Sequence, residues 1–172
     1  GIGQGYFLAT PLQLTLATST LATAGKTYIP HVLKKIRDSK TDTVDLYDYQ
    51  NNKFITSYPN LNYLDIVHHA MWRVTNERGV GTASQMKKIS NIEIAGKTGT
   101  AQVYSLDKGK TDKKNLQDHA LFISYAPFEN PEIVVTVIVE HGGGGSSVAA
   151  PIARDTIEFY FNSKEELISK NE

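Results

Sequence analysis

Cysteine is absent from these 172 residues, which removes disulfide staples and thiolate metal sites together and leaves an oxidising compartment permitted without indicating one. Long apolar runs are missing as well. No stretch approaches the roughly 20 residues that cross a bilayer, so the sequence predicts a soluble piece. Charge of either sign is not in excess: 18 Lys and Arg balance 18 Asp and Glu. Nucleic acids and acidic membrane surfaces usually select a basic stripe, and none is present. There is also no initiator Met and no signal peptide. The chain opens on "GIGQGYFLATPLQL", already structured in character, which predicts the back part of something longer. What is present is ordinary: 40% hydrophobic residues, enough for the core of one domain or a large piece of one.

Local patterns give the elements. Thr10, Pro11 and Gln13 form the spacing of a capping box with proline at the first helical position, predicting a helix to about Ala24 with Gly25 as its stop. "TYIPHVLKKI" then reads as extended, interrupted by Pro30, and Asp38 to Pro59 as a polar meander without a sustained period. Leu64, Val67, Met71 and Val74 place an apolar stripe on a helix over Asn62 to Glu77. From Ile92 three strand-like segments follow, "IEIAGKTGTAQVY", "HALFISYAPF" and "EIVVTVIVEH". The first connection is a charged loop and the second a short turn. The run Ile133 to Val139 suits a strand buried on both faces. A glycine turn, an amphipathic helix and a frayed polar tail close the chain. This order predicts an α+β fold, an antiparallel sheet covered by helices.

Most candidate motifs have a plain structural explanation. Gly142 to Ser147 lacks the Gly-Lys-Ser/Thr ending of a phosphate loop, so a strand-to-helix turn is the reading. His68 and His69 are adjacent, diverge on a helix by about 100°, and have no further histidine at helical spacing, so no metal site is assigned. Lys108, Lys110, Lys113 and Lys114 are offset by Asp107, Asp112 and Asp118 in a solvated loop.

Lys97-Thr98-Gly99-Thr100 is different. Glycine inside a strand often marks the close approach of another backbone or a ligand. Alternation puts Lys97 and Gly99 on one face, Thr98 and Thr100 on the other. A ligand could add alongside as a further strand, with hydroxyls and an ammonium meeting a carboxylate and an edge N–H meeting an oxyanion. An edge strand whose lysine guards against aggregation is the alternative at this point.

The residues "GQGYFLATPLQL", "IAGKTGTAQV", "HALFISYAPFENPEIVVTVIVEHGGGG" and "AAPIAR", in this order and spacing, resemble the C-terminal half of the transpeptidase domain of class B penicillin-binding proteins, above all those of cell elongation. The resemblance implies the penicillin-binding and β-lactamase-like transpeptidase fold, here as a partial domain. The family uses a Ser-x-x-Lys bearing the nucleophile, a Ser-x-Asn and a Lys-Thr-Gly. Lys97, Thr98 and Gly99 match the third. By that likeness Lys97 sets the electrostatics of proton transfer, Thr98 and Thr100 contact the substrate or penicillin carboxylate beside Gly99, and the Thr100 backbone N–H supplies half of an oxyanion hole.

Ser84-Gln85-Met86-Lys87, Ser105-Leu106-Asp107-Lys108 and Ser169-Lys170-Asn171 fit the other motifs only as letters. Ser105 and Ser169 follow the strand, and Ser84 leaves no room for a Ser-x-Asn before it. The nucleophile is therefore expected on an upstream part of the protein, and this chain by itself is expected to be inactive. The resemblance implies peptidoglycan D,D-transpeptidation without metal or cofactor, at the outer side of the bacterial cytoplasmic membrane. The implied partners are stem peptides, β-lactams, the upstream part of the same protein, the rod-complex glycosyltransferase and a scaffold protein. A penicillin-binding sensor domain and a D,D-carboxypeptidase are the alternatives.

Overall fold

The computed structural model describes residues 8–33, 35–46, 53–55, 61–86, 88–89, 91–102 and 117–170. Helix α1 runs Pro11–Ala22 and starts where its cap dictates. The Thr10 hydroxyl accepts from the Gln13 N–H at 3.2 Å while the Gln13 side chain accepts from the Thr10 N–H at 2.8 Å, so two otherwise orphaned donors are satisfied. Ala24 and Gly25 stop it in left-handed conformations (φ 51° and 98°), and the Gly25 N–H closes the end on the Thr20 carbonyl at 2.8 Å. Its buried face includes Thr18 and Thr20, whose hydroxyls donate to the carbonyls of Leu14 and Leu16 one turn back. A helix of mixed character can thus be covered without stranding polar groups.

Within the stretch read as a meander, residues 38–46 and 53–55 are described and hold two short strands, each paired with a strand of the preceding, extended segment. Strands β1 (Lys26–Tyr28) and β4 (Lys53–Ile55) pair antiparallel, and β2 (Lys35–Arg37) pairs with β3 (Val44–Leu46). The second ribbon is closed by Asp38, whose carboxylate accepts from the N–H groups of Lys40 (2.7 Å) and Thr41 (3.2 Å). Those two donors hold its carboxyl below the ordinary aspartate value. Strands of three residues are too short to leave a readable alternation.

Helix α2 (Leu61–Asn76) buries Leu64 and Met71 from its apolar stripe, and Val67 stays outside. Its last turn is tied to the following strand: the Asn76 amide donates to the Ile94 carbonyl at 2.9 Å, and the buried Thr75 hydroxyl donates to the same oxygen. Strands β5 (Ala95–Ala101), β6 (His119–Ala126) and β7 (Ile133–Val139) form an antiparallel meander in that spatial order. Gly99 pairs with Leu121, and Phe122 with Val137.

Strand alternation sends Phe122 and Tyr125 to opposite faces, and each anchors a core. Phe122 and Ala120 pack with Ala83, Ala149, Ala150 and Ala153, while Tyr125 and Ala95 pack with Ala22 and Met71. A third cluster joins Ile94 and Ala126 to Ile157. Burying a ring such as Phe122 is worth about 1.5–3 kcal/mol, so the central strand carries much of the cohesion. The structure corrects one expectation here. The apolar run Ile133–Val139 is half-buried at every position, since among the described residues β7 pairs only with β6; the more buried strand is β6.

After β7 the glycine run enters a five-residue π-helical turn (Gly145–Ala149) that leads directly into α3 (Ala150–Ser169). The tail expected to fray is helical to Ser169. Its polar residues are held by exposed pairs such as Lys164 with Glu132. The charged loop and its lysines, residues 103–116, lie outside the described residues. No helix among the described residues is long and apolar enough to cross a membrane.

Candidate active site

Strand β5 is outermost in its sheet: among the described residues no strand pairs with its second edge. Which backbone groups face that edge follows from the register. The Gly99 nitrogen, the Gly99 oxygen and the Leu121 oxygen all lie within 3.1 Å of the position that a Gly145 Cβ would occupy. Gly99 therefore directs its N–H and C=O toward Leu121, and antiparallel alternation turns those of Thr98 and Thr100 to the open edge. The Lys97 ammonium donates to the Thr98 carbonyl at 2.6 Å, as a carbonyl unused by β6 allows.

Above this strand, Gly145 does more than make a turn. It is buried, and a Cβ there would stand 2.5 Å from the carbonyl oxygens of both Gly99 and Leu121. Only glycine lets the π turn rest directly on the backbone of the Lys-Thr-Gly strand. On Gly99 itself a Cβ would meet Leu121 Cβ at 3.2 Å, a tight contact with an atom that moves only with its backbone.

Thr98 hydrogen-bonds through its hydroxyl to the hydroxyl of Thr82 at 2.9 Å. Lys97 and Thr82 also border a hollow of about 230 Å³ with Ala70, Arg73, Val74, Val80 and Gly81. A larger hollow of about 530 Å³, lined by Arg78, Ser84, Gln85, Met86 and Lys88, has no residue of β5 in its wall. The predicted residues Lys97, Thr98, Gly99 and Thr100 thus share one strand and one edge. Thr82, which the sequence did not single out, and Gly145, read there only as part of the Gly142 to Ser147 turn, join them. A Gly-Thr pair between a helix and a strand ("GVGTAS") was the available signal for Thr82.

The serines considered as nucleophiles lie elsewhere. Ser84 sits in a turn after α2, its N–H bonded to the Gly81 carbonyl at 3.1 Å, rather than at the start of a helix. Ser169 ends α3. Ser105, Lys87 and Asn171 fall outside the described residues. His68 is engaged with the Leu21 carbonyl and His69 stacks on Trp72 at 5.5 Å. Among the described residues no three His, Asp or Glu side chains cluster as a metal site would require.

Residues 1–158 match the family model of the penicillin-binding protein transpeptidase domain. A peptidoglycan D,D-transpeptidase (MrdA) of Haemophilus influenzae is 39% identical over 178 residues, covering 99% of this chain and 26% of the relative. Among solved structures, PBP2 of Pseudomonas aeruginosa in complex with WCK 5153 superposes with a TM-score of 0.71 at 36% identity, over 92% of this chain and 32% of that one. PBP2 of Helicobacter pylori in complex with MreC does so with a TM-score of 0.65 at 32% identity, over 92% and 26%. The chain spans about a quarter of the length of the Haemophilus relative. With its three-stranded sheet, helices α1 and α2, the first half of α3 and the Lys-Thr-Gly edge strand inside the matched span, the chain belongs to the penicillin-binding protein transpeptidase family.

Proposed function

We propose that this chain is the C-terminal part of a serine D,D-transpeptidase domain and supplies the Lys-Thr-Gly wall of its active site, the nucleophile residing on an upstream segment. The observation that carries the reading is the open edge of β5, where Lys97 to Thr100 sit within the family match. The upstream serine hydroxyl attacks the penultimate D-Ala carbonyl of a peptidoglycan stem peptide, and its proton passes to a base. The tetrahedral oxyanion collapses, D-Ala leaves with a proton, and the amine of a second stem resolves the ester into a cross-link.

Each residue of the wall has a part in this. The Thr100 N–H, aimed at the open edge, is one oxyanion donor; removing one such donor costs about 3–4 kcal/mol in well-studied acyl-transfer enzymes. The hydroxyls of Thr98 and Thr100 meet the terminal carboxylate of the stem peptide or of a β-lactam. Lys97 adds positive potential beside the serine's proton path. Gly99 leaves room for the ligand backbone to lie alongside the strand. The chemistry requires no metal or cofactor.

The setting is the outer side of the bacterial cytoplasmic membrane, in cell elongation and cell-shape maintenance. There a rod-complex glycosyltransferase and a scaffold protein are the protein partners. The Helicobacter relative bound to MreC supports the scaffold. The test is fluorescent-penicillin labelling with the upstream segment supplied in trans, followed by a search for cross-linked dimer product. Label on the upstream segment only, lost with Lys97→Ala, together with dimer product, is the expected outcome. Label on this chain alone overturns the split-site reading, and release of D-Ala without dimer would assign a carboxypeptidase.

A further inference from the structure

We propose that Thr82 is a positioning residue for ligand binding: its hydroxyl donates to Thr98 and so commits the Thr98 proton to the ligand's carboxylate. The inference rests on the carboxylate role proposed for Thr98 and deepens it. The two hydroxyl oxygens are 2.9 Å apart, and by geometry either could be the donor. A bound carboxylate removes that freedom. An ionised carboxylate only accepts, and a threonine hydroxyl carries a single proton with two acceptor lone pairs. Thr98 must therefore spend its proton outward on the ligand, which leaves Thr82 as the donor of the inner bond. Donation into the Thr98 oxygen also polarises its O–H toward the anion.

The local structure holds Thr82 for this task. On one side, the Gly81 N–H bonds to the Glu77 carbonyl at 2.8 Å. A Cβ on Gly81 would stand 2.2 Å from the Arg73 oxygen and 2.4 Å from the Val74 oxygen, so this backbone lies directly on the end of α2. On the other side, the Ala83 N–H bonds to the Val74 carbonyl at 2.9 Å and its methyl is buried in the cluster around Phe122. Thr82, between two fixed neighbours, is itself exposed at the surface and has no core role of its own. Asn76 ties the same end of α2 to Ile94, one residue before β5. Helix end, turn and strand thus form one bracket.

The experiment uses the transpeptidase domain that joins this chain to its nucleophile-bearing segment. Penicillin acylation rates, resolved into initial binding and the acylation step, are measured with melting temperatures for Thr82→Val, Thr82→Ser, Thr98→Val and the double valine variant. Thr82→Val is expected to weaken initial binding about tenfold, the size of one hydrogen bond to a group that meets an anion, with the acylation step and melting temperature little changed. Thr82→Ser should restore binding to within about twofold, and the double variant should lose no more than Thr98→Val alone. Unchanged binding in Thr82→Val, no rescue by serine, or additive losses would overturn the assignment of Thr82. Unchanged binding in Thr98→Val would instead overturn the carboxylate role of Thr98, and the Thr82 inference with it.

Discussion

Replacing Gly145 by alanine puts the link between fold and site to a quantitative test. The added methyl would lie 2.5 Å from two backbone oxygens, those of Gly99 and Leu121, where ordinary contact begins near 3.4 Å, so turn and strand must part by about 0.9 Å. Neither contact is with a side chain that could rotate away. Over-packing of this kind costs about 1–3 kcal/mol, or a melting temperature lower by about 2–12 °C for a domain of this size. The functional loss should be larger. A displacement near 1 Å in a catalytic strand is worth about 10²-fold in rate. Gly144→Ala is the control, since its nearest contact is the far end of the Ser147 side chain at 2.8 Å, which can swing aside. Thermal melts and penicillin acylation rates of the domain carrying each variant decide the matter. If Gly145→Ala acylates within about twofold of the wild type and melts unchanged, the π turn does not set the position of the Lys-Thr-Gly strand.

Three further outcomes are expected. Thr10→Ala removes one arm of the capping box at α1 and should destabilise the protein by about 1 kcal/mol in denaturant titration. Tyr125→Phe should be neutral or slightly stabilising in the same titration, because among the described residues the buried Tyr125 hydroxyl has no hydrogen-bond partner to lose. Burial, with a smaller contribution from Glu129, pushes the Tyr125 phenol up to about 12 from an ordinary value of 10.0. The folded state therefore keeps a proton that the unfolded chain releases. Stability should be independent of this group below pH 10 and fall between pH 10 and 12, a fall that is absent in Tyr125→Phe.

Some of this architecture was legible in the residues for local reasons. Thr10, Pro11 and Gln13 define their helix start by bonds made within four residues, and the sequence displays such bonds directly. The three long strands announced themselves by apolar content, and Lys97 to Thr100 by the anomaly of lysine and glycine within one of them. What stayed hidden depends on contacts distant in sequence. The half-burial of β7 goes with its outer place in the sheet that the described residues form, a position that its apolar run does not reveal. The close fit of Gly145 on Gly99 joins residues 46 positions apart, and the bond from Thr82 to Thr98 joins residues 16 apart. The short ribbons of β1 to β4 are set by pairing, since three residues carry no period of their own.

The central claim is that the open edge of β5 is one wall of a penicillin-binding acyl-transfer site. The most direct test is a crystal structure of the domain containing this chain after reaction with a penicillin. The acyl carbonyl oxygen should accept from the Thr100 N–H at about 2.7–3.1 Å, with the drug carboxylate on the hydroxyls of Thr98 and Thr100. A covalently bound drug whose carbonyl and carboxylate both lie away from β5 would contradict it.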